Sequence, residues 1–146
     1  MVHDSAMSRL PTLAIALVLP LLLAACGGYN MKRTPRDEML YEYVSVIRWN
    51  DFDRAPGFLD PLSLEVDPLD PIEIERLKQY QVTGYDVRTA NEISEEEYEQ
   101  VVEIRLVNKH TQAERKILDR QLWRWDPIAK RWWLVSGLPD VTNTID

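Results

Sequence analysis

Residues 97–109, EYEQVVEIRLVNK, alternate between apolar and charged side chains with a period of two. Tyr98, Val102, Ile104 and Leu106 fall on one face; Glu99, Glu103, Arg105 and Lys109 fall on the other. An extended strand sorts residues this way, and a sheet with one covered and one solvated side makes use of it. QYQVTGYDVRT (79–89), RKILDRQLWRW (115–125) and RWWLVS (131–136) are likewise rich in β-branched and aromatic residues. The links ANEISEE, HTQAE and DPIAK are short enough for hairpins. The pattern predicts a four-stranded antiparallel meander whose apolar face must be covered by the residues before it.

Those residues read as helical. Thr34 suits a cap, Pro35 the first helical position, and Asp37 and Glu38 the first turn. Leu40, Tyr43, Val44 and Ile47 then recur as one stripe, widened by Met39 and Val46, which predicts a helix from about 35 to Asn50. Phe52, Ala55 and Phe58 suggest a short second helix interrupted by Pro56-Gly57. PLSLEVDPLDP (61–71) reads as Asp-Pro turns. Asp70 and Glu73 repeat the cap pattern before a single helical turn from Pro71 to about Leu77.

Residues 10–25, LPTLAIALVLPLLLAA, are uncharged, and Pro11 and Pro20 break them. They are short for a membrane span of about 20 residues. Arg9 on one side, with Ala24 and Ala25 on the other, gives the layout of an export signal over 1–25. Translation can start at Met1 or at Met7, and the second leaves a cleaner basic start. Cys26, the sole cysteine, follows directly. Leu23-Ala24-Ala25-Cys26 resembles the lipobox of bacterial lipoproteins. That resemblance implies cleavage before Cys26 and lipidation of it, with three acyl chains in a Gram-negative cell. Gly27 after the cysteine implies the periplasmic face of the outer membrane.

Cleavage leaves 121 of 146 residues, one domain's worth. It must fold without a disulfide. The formal charge of −7 stays with the mature part, because Asp4 and Arg9 cancel. So acidic a domain argues against nucleic acid as a partner. Residues 27–34, GGYNMKRT, form a tether reaching roughly 28 Å at most. Lys32, Arg33 and Arg36 beside it can meet lipid phosphates or simply solvate the linker. The organisation expected is 1–25 signal, 26–34 lipidated cysteine and tether, 35–139 domain and 140–146 tail.

The WNDFDRAPGFLDP stretch (49–61) and the closing LWRWDPIAKRWWLVSGLP (122–139) resemble the cystatin-like, nuclear transport factor 2-like superfamily over residues 35–139. The resemblance implies an α+β fold with the N-terminal helix packed on a curved four-stranded antiparallel meander. Some relatives are isomerases or dehydratases that use a cavity acid or base and a tyrosine.

Little here is organised for chemistry. His110 lies in a predicted turn without supporting ligands. Cys26, once lipidated, is no nucleophile. Asp60, Asp67 and Asp70 each precede a proline, as turn residues do. No metal site or cofactor is expected. Asp86 and Asp119 come closest to a carboxylate within an apolar strand face, and their charged or polar neighbours mark both as exposed. The expectation is a protein that is not an enzyme.

WRWDPIAKRWW is the most informative stretch. Pairing Asp126 with Arg131 around a four-residue loop sets Trp125 against Trp132 and Trp123 against Leu134 on one face. The other face sets Arg124 against Trp133 and Leu122 against Val135. The first face is expected in the core. The second can stabilise the sheet, or form a cation–π patch that binds. Two functional readings follow. One is a non-catalytic envelope lipoprotein that docks a protein partner through Leu122, Arg124, Trp133 and Val135. The other is a carrier or sensor holding a small apolar ligand in a cavity lined by Tyr43, Trp123, Trp125 and Trp132. An isomerase-like enzyme comes third and needs a buried carboxylate in such a cavity.

Overall fold

The computed structural model describes residues 33–145. The apolar run, Cys26 and the tether through Lys32 lie outside the described residues. Helix α1 spans Pro35–Arg48. A 3-10 turn covers Ala55–Phe58, and helices α2 (Pro61–Val66) and α3 (Pro71–Lys78) follow. The strands are β1 (Tyr80–Glu92), β2 (Glu97–Asn108), β3 (Glu114–Asp126), β4 (Arg131–Leu134) and β5 (Thr144–Ile145). β1 to β4 form a curled antiparallel meander in chain order, and the fold is α+β.

The local chemistry of α1 matches its cap signal. Asp37 N–H donates to Thr34 Oγ1 at 3.2 Å, and Thr34 N–H donates to Asp37 Oδ2 at 3.3 Å. Tyr43, Val46 and Ile47 are the buried residues of the helix, with Met39 and Leu40 packed against the core. Val44 is only half-buried. On the sheet, Val102, Ile104, Leu106, Ile117, Trp123 and Leu134 complete the core. The predicted β3–β4 register holds, with Trp125 opposite Trp132, Trp123 opposite Leu134 and Arg124 opposite Trp133. Segment 58–60 lies along the outer side of β4, where Asp60 N–H donates to Leu134 C=O at 2.9 Å.

Three expectations change. Pro56-Gly57 does not interrupt a helix but sits within the 3-10 turn, where Pro56 occupies an early position that needs no N–H donor. Residues 61–66 form α2 rather than turns, because Asp60 accepts Leu62 N–H at 3.1 Å and Pro61 starts the helix. Residues 140–145 are no free tail, since Val141 is buried in the core and Thr144 and Ile145 pair with Ile117 and Lys116 of β3.

Candidate functional site

The most exposed large aromatic surface lies where α1 ends. Asn50 adopts a left-handed φ of 59°, and its N–H donates to Ile47 C=O at 3.1 Å. Asp51 N–H donates to Val46 C=O at 2.9 Å. These two bonds close the helix in a Schellman arrangement, with asparagine tolerating the left-handed position. Asn50 Oδ1 then accepts Val82 N–H at 2.8 Å, which fixes the helix end against β1. Trp49, the capping residue, is held in solvent at 81% exposure.

Tyr41 stands two turns earlier on the same side, 60% exposed, with the Arg33 guanidinium 4.2 Å above its ring. Tyr41, Val44, Ser45, Arg48 and Trp49 form one wall of a cleft of about 420 Å³, and Val82 and Thr83 form the other. A register shift in β1 between Val82 and Gly84 re-aims the strand beside it. The cleft offers aromatic faces, hydroxyls and a guanidinium. The sequence reading missed Trp49 as a site. The available signal was its position at the helix end, off the Tyr43/Ile47 stripe.

The face expected to bind is largely committed to the fold. Arg124 does not stack on Trp133. Its Nη2 donates to Asp60 Oδ1 at 3.0 Å and its Nε to Asp60 Oδ2 at 3.2 Å, and Asp60 is buried. Arg131 takes the place over Trp133, 3.9 Å from the ring centroid. Trp133 Nε1–H donates to Asp126 Oδ2 at 3.2 Å, leaving the indole half-buried. Leu122 and Val135 are joined by a backbone bond of 2.8 Å and are also half-buried.

Of the residues expected to line a cavity, Tyr43 and Trp123 fill space in the core, whereas Trp125 and Trp132 line an open surface cleft of about 340 Å³ beside Thr34 and Pro35. Tyr43 meets Trp123 edge-on at 5.2 Å and Phe58 at 5.3 Å. Trp125 and Trp132 contact each other at 5.9 Å. Tyr43, Trp123 and Trp132 are buried, which is the packing of a core.

Beneath α1 the sheet carries a buried polar cluster around Asp119, which the sequence analysis placed in solvent. Asp119 is 7% exposed, because it shares the inward face of β3 with Ile117, Gln121 and Trp123. Its charged neighbour Arg120 points to the other face and says nothing of its burial. Gln121 Nε2 donates to Asp119 Oδ2 at 2.6 Å and to Tyr85 Oη at 2.9 Å. Gln121 Oε1 accepts from Gln100 Nε2 at 2.7 Å. Burial pushes the Asp119 carboxyl up to about 6, against the opposing pull of the Gln121 bond. Burial likewise raises the Tyr43 and Tyr85 hydroxyls, and Tyr43 Oη has no hydrogen-bond partner among the described residues. The surface clefts of about 110 to 510 Å³ are lined by residues other than Asp119, Gln121 and Tyr43.

Asp86, by contrast, is half-buried and accepts from Arg105 Nη2 at 3.1 Å. His110 is exposed in the β2–β3 turn. Among the described residues no group of three or more His, Cys, Asp or Glu could hold a metal ion, and no helix is long and apolar enough to cross a membrane.

No protein-family model matches the sequence, and no curated protein matches it significantly. Among solved structures, the chain is similar to the solution structure of a SEC-C motif containing protein from Rhodopseudomonas palustris. The TM-score is 0.55 at 16% identity, over 82% of this chain and 85% of that one. At that identity the likeness shows the fold alone.

Proposed function

We propose that this chain is a non-catalytic envelope lipoprotein that docks a protein partner through the Tyr41–Trp49 cleft. The observation that carries this reading is Trp49, held 81% exposed beside Tyr41 where the Asn50 and Asp51 N–H groups close the helix end. Tryptophan, tyrosine and arginine together are the residue types that dominate binding hot spots. The packing of Tyr43 against Trp123 and Phe58 supports docking over the carrier reading, because no enclosed cavity opens between them, and the cleft beside Trp125 and Trp132 lies open at the surface. The Arg124–Trp133 face is the weaker docking candidate, since Arg124 is occupied by Asp60. The anchor is Cys26, and the location is the periplasmic face of the outer membrane. The helix on a curled meander supports placing the domain in the nuclear transport factor 2-like class.

The test is in-cell photo-crosslinking in the full-length protein, with the crosslinker in place of Trp49. A discrete protein adduct that is lost on Tyr41→Ala supports docking at this cleft. An adduct only when the crosslinker replaces Trp133 moves the interface to the other face. Metabolic labelling with palmitate, lost on Cys26→Ser, tests the anchor separately.

A further inference from the structure

The two hairpin turns at one end of the meander differ in kind from the turn at the other. The β1–β2 turn and the β3–β4 turn lie at the same end, because Trp125 N–H donates to Glu96 C=O at 2.8 Å. The N-terminus of α1 is there too, through the Arg36–Glu92 ion pair and a cleft lined by Thr34, Pro35, Glu95 and Trp125. Each of these two turns presents an isoleucine to solvent. Ile93 is 52% exposed and Ile128 is 93% exposed. The β2–β3 turn at the far end carries Lys109, His110, Thr111 and Gln112 instead.

The Ile128 turn is firmly built. Asp126 Oδ1 accepts Ile128 N–H at 2.9 Å and Ala129 N–H at 3.0 Å, and Lys130 takes a left-handed φ of 52°. These bonds hold the isoleucine outward rather than letting it fold back on the sheet. The described chain begins at this end, at Arg33, seven residues after Cys26. Seven residues span roughly 25 Å at full extension, so acyl chains on Cys26 bring a bilayer within reach of both turns.

We infer that Ile128, flanked by Ile93, inserts into the interface of the bilayer that holds Cys26. This rests on the lipid anchor proposed above. The occupant is a neutral phospholipid surface rather than an anionic one. Lys130 and Arg131 on one turn are matched by Glu95, Glu96 and Glu97 on the other, so attraction of charge does not drive the contact. The apolar tips do, with the tether supplying the local concentration. The Trp49 cleft then lies at the opposite end of α1, about 21 Å further along the helix, clear of the lipid.

The experiment uses the full-length, lipidated protein in phosphatidylcholine vesicles. Lipidation consumes the only native thiol, so Ala129→Cys gives a single site for an environment-sensitive fluorophore. His110→Cys at the far turn is the comparator. The expected result is a blue-shifted emission at 129 that is quenched by acyl-chain nitroxide lipids and unchanged by salt, with neither effect at 110. Ile128→Glu in the labelled protein should abolish the quenching. Protein that floats with vesicles but whose label at 129 stays as exposed to aqueous quencher as the one at 110 overturns insertion and leaves the anchor standing. So does a label at 49 that is quenched in place of 129. Protein that fails to float overturns the anchor, and the insertion with it.

Discussion

Arg124 grips Asp60 with two parallel hydrogen bonds of 3.0 and 3.2 Å across 64 residues of sequence. The pair pins the N-terminus of α2 to the outer face of β3. Asp60 is buried, and it also accepts from Leu62 N–H at 3.1 Å and Ser63 Oγ at 3.4 Å. Removing the guanidinium leaves a buried carboxylate without its cation. Arg124→Ala should therefore destabilise the domain by about 3 kcal/mol, at the low end for a broken buried pair because Asp60 keeps its capping bonds. Urea unfolding checks this, and a loss below about 1 kcal/mol would show that the pair is solvent-screened. Any loss of binding in Arg124→Ala must first be cleared of this folding effect.

Asp119 gives the domain a pH dependence of unusual sign. Its folded value of about 6 lies above the ordinary unfolded value of about 3.9. Between those values the folded state holds the proton more tightly, so this group's contribution falls as pH rises from about 4 to 6 and stays unfavourable above. Asp119→Asn removes the titration. The stability of wild type relative to Asp119→Asn should drop across that window by roughly 3 kcal/mol, read from unfolding at a series of pH values. Taking the difference cancels Asp37, Asp126 and Asp140, whose depressed values act in the opposite direction. A flat difference would mean that Asp119 is solvated.

The last residues belong to the domain. Ending the chain after Pro139 removes Val141 from the core and the two pairs between β5 and β3. The expected loss is about 2 kcal/mol, mostly from one buried valine. Thermal unfolding of the truncated protein checks it, and an unchanged midpoint would make the segment a tail after all.

Two tryptophans separate stability from binding. Trp123 is fully buried against Tyr43, and Trp123→Ala should cost about 4 kcal/mol. Trp49→Ala should change stability by less than about 0.5 kcal/mol, since its side chain is exposed. A partner captured by the wild type and lost with Trp49→Ala at unchanged unfolding midpoint would assign Trp49 to recognition.

The strands were legible because alternation is a local signal. Residues 97–109 showed it plainly, and the four-residue PIAK loop set the β3–β4 register through Asp126 and Arg131. Helix α2 was not legible. Its cap repeats the pattern at Thr34-Pro35 and Asp70-Pro71, but it has no buried residue and so no apolar stripe. Asp119 was misread through sequence neighbours that face the other way, whereas its neighbours at two-residue spacing, Ile117 and Gln121, are both buried. The Arg124–Asp60 pair joins residues far apart in the chain, and no local pattern announces it. Trp49 was visible as a residue, but its exposure depends on how the helix closes at Asn50.

The closure at Asn50 and the placement of Leu59 and Asp60 also bear on how copies of the protein meet. A β-sheet invites self-association where its outermost strands show an unbroken row of backbone donors and acceptors. Here Leu59 bridges Leu134 and Asp60 N–H takes Leu134 C=O, so β4 is occupied on its outer side. On β1, Asn50 takes Val82 N–H, and register shifts at Val82/Gly84 and Val87/Thr89 disturb the remaining row. A protein confined to a surface meets its own copies far more often than one free in three dimensions. On the anchoring proposed above, blunting both flanks of the sheet would let this domain be crowded on a membrane without strand-to-strand polymerisation.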